Sequence, residues 1–86
     1  MNINDLIANI KDKLNRNIQI DDIKIEDKSF LHKKHKGFIE GKFHLKIFIK
    51  SSELNNLSKI ESNKKIYKIL DQEMKMYIHS LQILIS

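Results

Sequence analysis

The sequence predicts a single α+β domain spanning residues 1–86, with elements in the order α-β-β-α-β and a three-stranded mixed sheet covered by helices on one face. Three observations carry this. Two segments have apolar residues at helical spacing, three have the alternation or short apolar runs of strands, and the second helical segment lies between the last two strands. A helical crossover between neighbouring strands makes them parallel and the connection right-handed, whereas the first two strands are close enough in sequence to form a hairpin. Both amphipathic helices must then bury their apolar faces on the same side of the sheet.

The first helix is expected over Asn4–Asn15, where Leu6, Ile7, Ile10 and Leu14 share one face and Asn4 stands as an N-cap. Asn15 to Asp22 mixes amides and acids and reads as a connection. In DDIKIEDKS, Ile23 and Ile25 alternate with charges, giving a short half-buried strand. The stretch FLHKKHKG follows and continues through Gly37 and Gly41, the two glycines of the chain. FHLKIFIKS then alternates cleanly: Phe43, Leu45, Ile47 and Ile49 share a face, opposite His44, Lys46, Phe48 and Lys50. Phe48 is the apolar exception on the polar side. Ser51–Asn56 is polar and turn-like. From Ser58 to Tyr77, Ile60, Ile66, Ile69, Leu70, Met74 and Tyr77 fit one amphipathic helix, opened by Ser58 with Glu61 as a capping box. YIHSLQILIS is the last strand, with Leu81, Ile83 and Ile85 on one face and His79 sharing their parity.

Composition excludes several functions. The chain has 86 residues, at the small end of what folds without a disulfide or metal. It has no cysteine, so a disulfide framework, a thiol nucleophile and a cluster held by its own thiolates are excluded; a metal would need His, Asp or Glu. The net charge of +5 is uneven: residues 1–27 carry four Lys/Arg against six Asp/Glu, and the remainder twelve against five. Such asymmetry fits an acidic partner or nucleic acid, but a lysine-rich composition gives the same picture. No apolar run has the length to span a bilayer, and MNINDLIANI lacks the pattern of a secretory signal. A soluble, cytoplasmic protein is expected, with a mitochondrial location left open for a eukaryotic source. Enzyme activity is not expected: there is no nucleophile–base pair and no phosphate-cradling loop, and Ser51-Ser52 has no base nearby in sequence.

FLHKKHKG places His32 and His35 three apart among lysines. As a zinc site, His32-x-x-His35 lacks the further ligands that structural zinc requires. Taken alone, both histidines read as residues of a solvated basic loop, His79 as a core-facing histidine satisfied by backbone, and His44 as a residue of the open sheet face or one packed beside the loop.

Asp27-Lys28-Ser29, His32, His35 and Gly37 resemble the D-x-S-x-x-H-x-x-H-x-G pattern of the BolA family. The resemblance continues with His44-Leu45 opening the second strand, Ser51 closing it, Leu54 at a position where the family commonly has Phe, and Ile78-His79-Ser80-Leu81 near the C-terminus. It covers nearly the whole chain, most clearly from Ile23 onward. One departure concerns the helix start, where the family's Arg-His-Arg is replaced by Ser62-Asn63-Lys64.

The resemblance implies a fold like that of a type II KH domain, a monomer in isolation, and partnership with a monothiol glutaredoxin. In such complexes a [2Fe–2S] cluster is shared with a cysteine thiolate of the partner and bound glutathione. Carried over residue by residue, His79 matches the C-terminal ligand and His32 the loop ligand, with His35 as a nearby substitute. Iron–sulfur clusters accept histidine, which raises their potential. The imidazole must be neutral, so binding weakens as pH falls through about 6.5. The alternative the family offers is a DNA-binding transcriptional regulator. Lys64, Lys65 and Lys68 would then meet phosphates, against the plainer reading of a solvated helix face. The Gly-x-x-Gly loop by which KH domains clamp nucleic acid is missing; Gly37 and Gly41 are four apart. A third reading is an adaptor that docks glutaredoxin through its helix and last strand, without the cluster.

Overall fold

The structure, a computed structural model, describes residues 2–29 and 42–86. The elements are α1 (Ile3–Asn17), β1 (Asp22–Asp27), β2 (Phe43–Lys50), α2 (Ser52–Asn55), α3 (Lys59–Ile69), α4 (Asp71–Met76) and β3 (Ile78–Ile85). The sheet order is β1-β2-β3, with β1 antiparallel and β3 parallel to the central β2. This is the mixed sheet that the order of apolar patterns predicts.

α1 begins earlier than its apolar residues suggest. Asn2, not Asn4, is the N-cap, and its Oδ1 accepts from the Asp5 amide at 2.8 Å. Leu6, Ile10 and Leu14 are fully buried, and Ile18, where the helix ends, continues the same four-residue spacing into the core. From the sheet, Leu45, Ile47 and Ile49 of β2 meet them, joined by Leu54, Ile66, Leu70 and Ile78. Truncating a residue as enclosed as Ile47 to alanine costs about 2–5 kcal/mol.

Two corrections concern the helices after β2. The stretch read as a turn, Ser51–Asn56, contains the one-turn helix α2. Ser51 is fully buried; its Oγ accepts from the Leu54 amide at 3.2 Å and donates to the Gln19 carbonyl at 2.7 Å. One hydroxyl thus caps α2 and ties it to the connection after α1. The single helix expected over Ser58–Tyr77 is two, broken at Leu70 (φ −95°, ψ 18°). Ser58 does cap α3, accepting from the Glu61 amide at 3.1 Å. Ile60 lies off the buried face, 69% exposed, while Ser62, Ile66 and Leu70 line it. The break aims α4 so that its buried Glu73 reaches Lys13 of α1 at 2.9 Å. Among the described residues no helix is long and apolar enough to cross a membrane.

Candidate functional site

The residues that matter lie where β2 and β3 begin. Strict alternation along β3 would put His79 on the core face with Leu81, Ile83 and Ile85. The structure corrects this. Phe43 pairs with Ile78 but His44 pairs with Ser80, so β3 carries one extra residue at this point. Ile78 takes the buried position, and His79 is turned out to solvent. A bulge of this kind re-aims a side chain. Its effect here is an exposed imidazole at the edge of a sheet, instead of a histidine satisfied within the core.

His44 lies beside it. By alternation it is on the sheet face opposite the helices, yet it is only 5% exposed. Its Nδ1 and the Ser80 Oγ share a 2.6 Å hydrogen bond, and its ring meets that of His79 edge-on, centroids 4.9 Å apart at 65°. The backbone of His44 is held from the other strand. Its carbonyl accepts from the Lys28 amide at 2.7 Å, and its amide donates to the Ser29 Oγ at 3.0 Å. The Ser29 amide in turn donates to the Asp27 Oδ1 at 2.9 Å. These bonds give Asp27-Lys28-Ser29 a physical role. As the chain leaves β1, a carboxylate caps the turn, and the serine hydroxyl takes the His44 amide that a continuing strand would otherwise bond.

His32 and His35 lie outside the described residues, as do Gly37 and Gly41. Among the described residues no group of three His, Cys, Asp or Glu is placed to hold a metal ion. His44, Ser29 and Ser80 are the site residues that sequence reasoning left without a role. The placement of His44 beside His79 depends on the β2–β3 register, and alternation along β3 alone put His79 on the wrong face.

The three candidate phosphate-binding lysines lie on one side of α3 at spacings of one and three, with Lys64 and Lys68 exposed. Lys65 is engaged: its Nζ bonds Glu53 at 2.7 Å. That bond, with a further one from the Gln19 amide, holds the Glu53 carboxyl below its ordinary value. At the positions where the resemblance leads one to expect Arg-His-Arg, the Ser62 Oγ and Asn63 Nδ2 both donate back to the Lys59 carbonyl, at 3.0 and 2.7 Å. Ser62 is buried, so of the three only Lys64 is fully available to a partner.

On the open sheet face, Phe48 is half-buried beneath two cations, with Lys24 and Lys46 at 5.8 and 5.0 Å from its ring centre. This accounts for an aromatic residue on the polar side of β2. Nearby, a hydrogen bond from Lys28 chiefly holds the Glu26 carboxyl below its ordinary value.

Comparison with known proteins agrees with this architecture. A family profile described as BolA-like protein matches residues 14–86. The DNA-binding transcriptional regulator BolA of Haemophilus influenzae is 30% identical over 74 residues, which is 86% of this chain and 69% of that protein. Among solved structures, the BolA domain of SufE1 from Arabidopsis thaliana superimposes with a TM-score of 0.77 at 26% identity, covering 92% of this chain and 87% of that one. BolA1 from the same plant gives the same TM-score and coverage at 23% identity, a likeness of fold. The agreement of strand order, motif and profile over most of the sequence leads to one conclusion: the chain belongs to the BolA family.

Proposed function

We propose that this protein is a non-enzymatic partner of a monothiol glutaredoxin. In this reading it shares a [2Fe–2S] cluster through histidine ligands and serves iron–sulfur cluster assembly, trafficking or iron sensing. The observation that carries the reading is His79, turned outward by the β3 bulge and braced edge-on by the buried His44. A ligand that must meet a partner's cluster has to be exposed and oriented before the partner arrives, and His79 is both.

The donor set fits a shared cluster better than one held by this chain alone. The chain has no thiolate, so in this reading the thiolate ligands come from elsewhere, from the glutaredoxin cysteine and bound glutathione. His79 would supply one imidazole, and His32 the other, with His35 as its substitute. When bound, the cluster would supply iron and sulfide for transfer, or a signal of their availability. This chain's contribution is to present neutral imidazole nitrogen and to hold it still. The Ser80–His44 hydrogen bond and the Ser29 bond to the His44 amide fix the ring against which His79 rests.

The test is to mix the protein with cluster-loaded monothiol glutaredoxin and glutathione and follow the visible absorption and circular dichroism. The wild type is expected to replace the glutaredoxin spectrum with that of a mixed complex. A His79→Ala variant that gives the same mixed-complex spectrum as the wild type would show that His79 is no ligand.

A second reading, a DNA-binding transcriptional regulator, is favoured by the likeness to the Haemophilus influenzae regulator. Lys64 and Lys68 would meet phosphate, with Lys65 released from Glu53. It predicts tight, salt-dependent and sequence-selective DNA binding by the chain alone, lost when Lys64 and Lys65 are changed. A gel shift without preference for any promoter removes it.

A further inference from the structure

We infer that the open edge of β3, together with the groove beside it, takes up an extended acidic and apolar segment of a partner protein by strand addition. The inference stands apart from the cluster reading, since it uses the other end of β3 from His79.

The backbone directions show which groups are open. The Ser86 amide donates to the Ile49 carbonyl at 2.9 Å, and the Ser86 carbonyl accepts from the Ser51 amide at 3.1 Å, so Ser86 faces β2. Successive residues of a strand point their amide and carbonyl groups to alternate sides. Leu84 and Gln82 therefore also face β2, and Ile85, Ile83 and Leu81 face outward. The Leu81 carbonyl fits this alternation, because the Tyr67 hydroxyl of α3 donates to it from the outer side at 3.0 Å. Beyond Tyr67, the outward amides and carbonyls of Ile83 and Ile85 have no partner among the described residues.

Edge strands are ordinarily blunted by charge, proline or a covering element. The opposite edge follows that rule: β1 carries Asp22, Lys24, Glu26 and Asp27. β3 has neither a charged residue nor a proline in its whole length. Against the unblunted end lies a groove of about 340 Å³, with Leu54, Leu57, Ile83 and Ile85 as its aliphatic lining and Lys59 beside the uncharged Asn63 on the α3 side. An extended chain paired with Ile83 and Ile85 would place alternate side chains toward this groove.

Charge selects the occupant. Lys59 is the one ionisable residue in the lining, and it makes no ion pair among the described residues. The complement is an aliphatic side chain flanked by a carboxylate. A second copy of β3 offers no acid to meet Lys59, so self-pairing leaves that charge unanswered. A single lysine is also a poor match for a phosphate backbone, whose binding rests on several cations. An acidic, extended polypeptide satisfies the backbone groups, the groove and the lysine together.

The probe is a set of short acetylated peptides alternating isoleucine or valine with glutamate, followed by amide NMR of the full chain. Binding is expected to shift the Ile83 and Ile85 amides and slow their hydrogen exchange. N-methylation of the peptide residues that pair with β3 should weaken binding by at least about tenfold, while methylation at the intervening positions is tolerated. Lys59→Glu should weaken it about tenfold, with an unchanged thermal midpoint showing that the fold is intact. The inference is overturned if no peptide moves these amides, or if both N-methyl series bind alike. It is equally overturned if the same amides respond to protein concentration or to oligothymidine in place of the peptide.

Discussion

Replacing Ser29 by alanine tests the link between the end of β1 and the histidine pair. Ser29 is 9% exposed, and its Oγ is the acceptor for the buried His44 amide at 3.0 Å. Alanine leaves that amide without its acceptor, a loss of about 1–3 kcal/mol for a buried donor. In a domain of this size each kcal/mol lowers the thermal midpoint by roughly 4–8 °C. A fall of about 10 °C is therefore expected for Ser29→Ala, measured by far-ultraviolet circular dichroism. Ser29→Thr keeps the hydroxyl and should recover most of the loss. Hydrogen exchange at the His44 amide should quicken in the alanine variant while that of Ile47, in mid-strand, changes only with global stability. A midpoint within about a degree of wild type, or a threonine variant as weak as alanine, would refute the reasoning.

Ser51→Ala removes both the α2 cap and the bond to Gln19; it should cost about 1–2 kcal/mol in urea denaturation. Lys13→Met strips the buried Glu73 of its ion-pair partner. Because Lys13 is more than a third exposed, solvent screening reduces the loss to about 1–2 kcal/mol, and a double-mutant cycle with Glu73→Gln should show coupling between the pair. Glu53 sets a pH dependence. Its folded carboxyl is held below its ordinary value of 4.5, so the stabilisation is fully present above that value and is lost as pH falls through the folded one. Urea midpoints taken across this window should fall more steeply with acid in the wild type than in Glu53→Gln.

The order of elements was legible because each obeys one period over enough residues. Leu6, Ile10 and Leu14 repeat every four, β2 alternates for its whole length, and a helical segment between β2 and β3 forces them parallel. Local breaks in period were not legible. The bulge at His79 has no glycine to announce it, and it arises because Ile78 takes the core position opposite Phe43. The break at Leu70 likewise has neither proline nor glycine; an ion pair between elements sixty residues apart in sequence, Lys13 with Glu73, accompanies the turn of α4. α2 read as a turn since one helical turn is too short to show a period. The role of Ser29 is a matter of register between strands, and a hydroxyl that ends a ladder looks in sequence like any loop serine.

We propose His79 as a ligand of a cluster shared with glutaredoxin. The most direct test is the nitrogen hyperfine coupling of the reduced mixed complex by pulsed electron paramagnetic resonance, with histidine nitrogen labelled only in this chain. Imidazole coupling is expected in the wild type, with loss of one component in His79→Ala. A coupling unchanged by that substitution, or none from this chain's histidines, would contradict it.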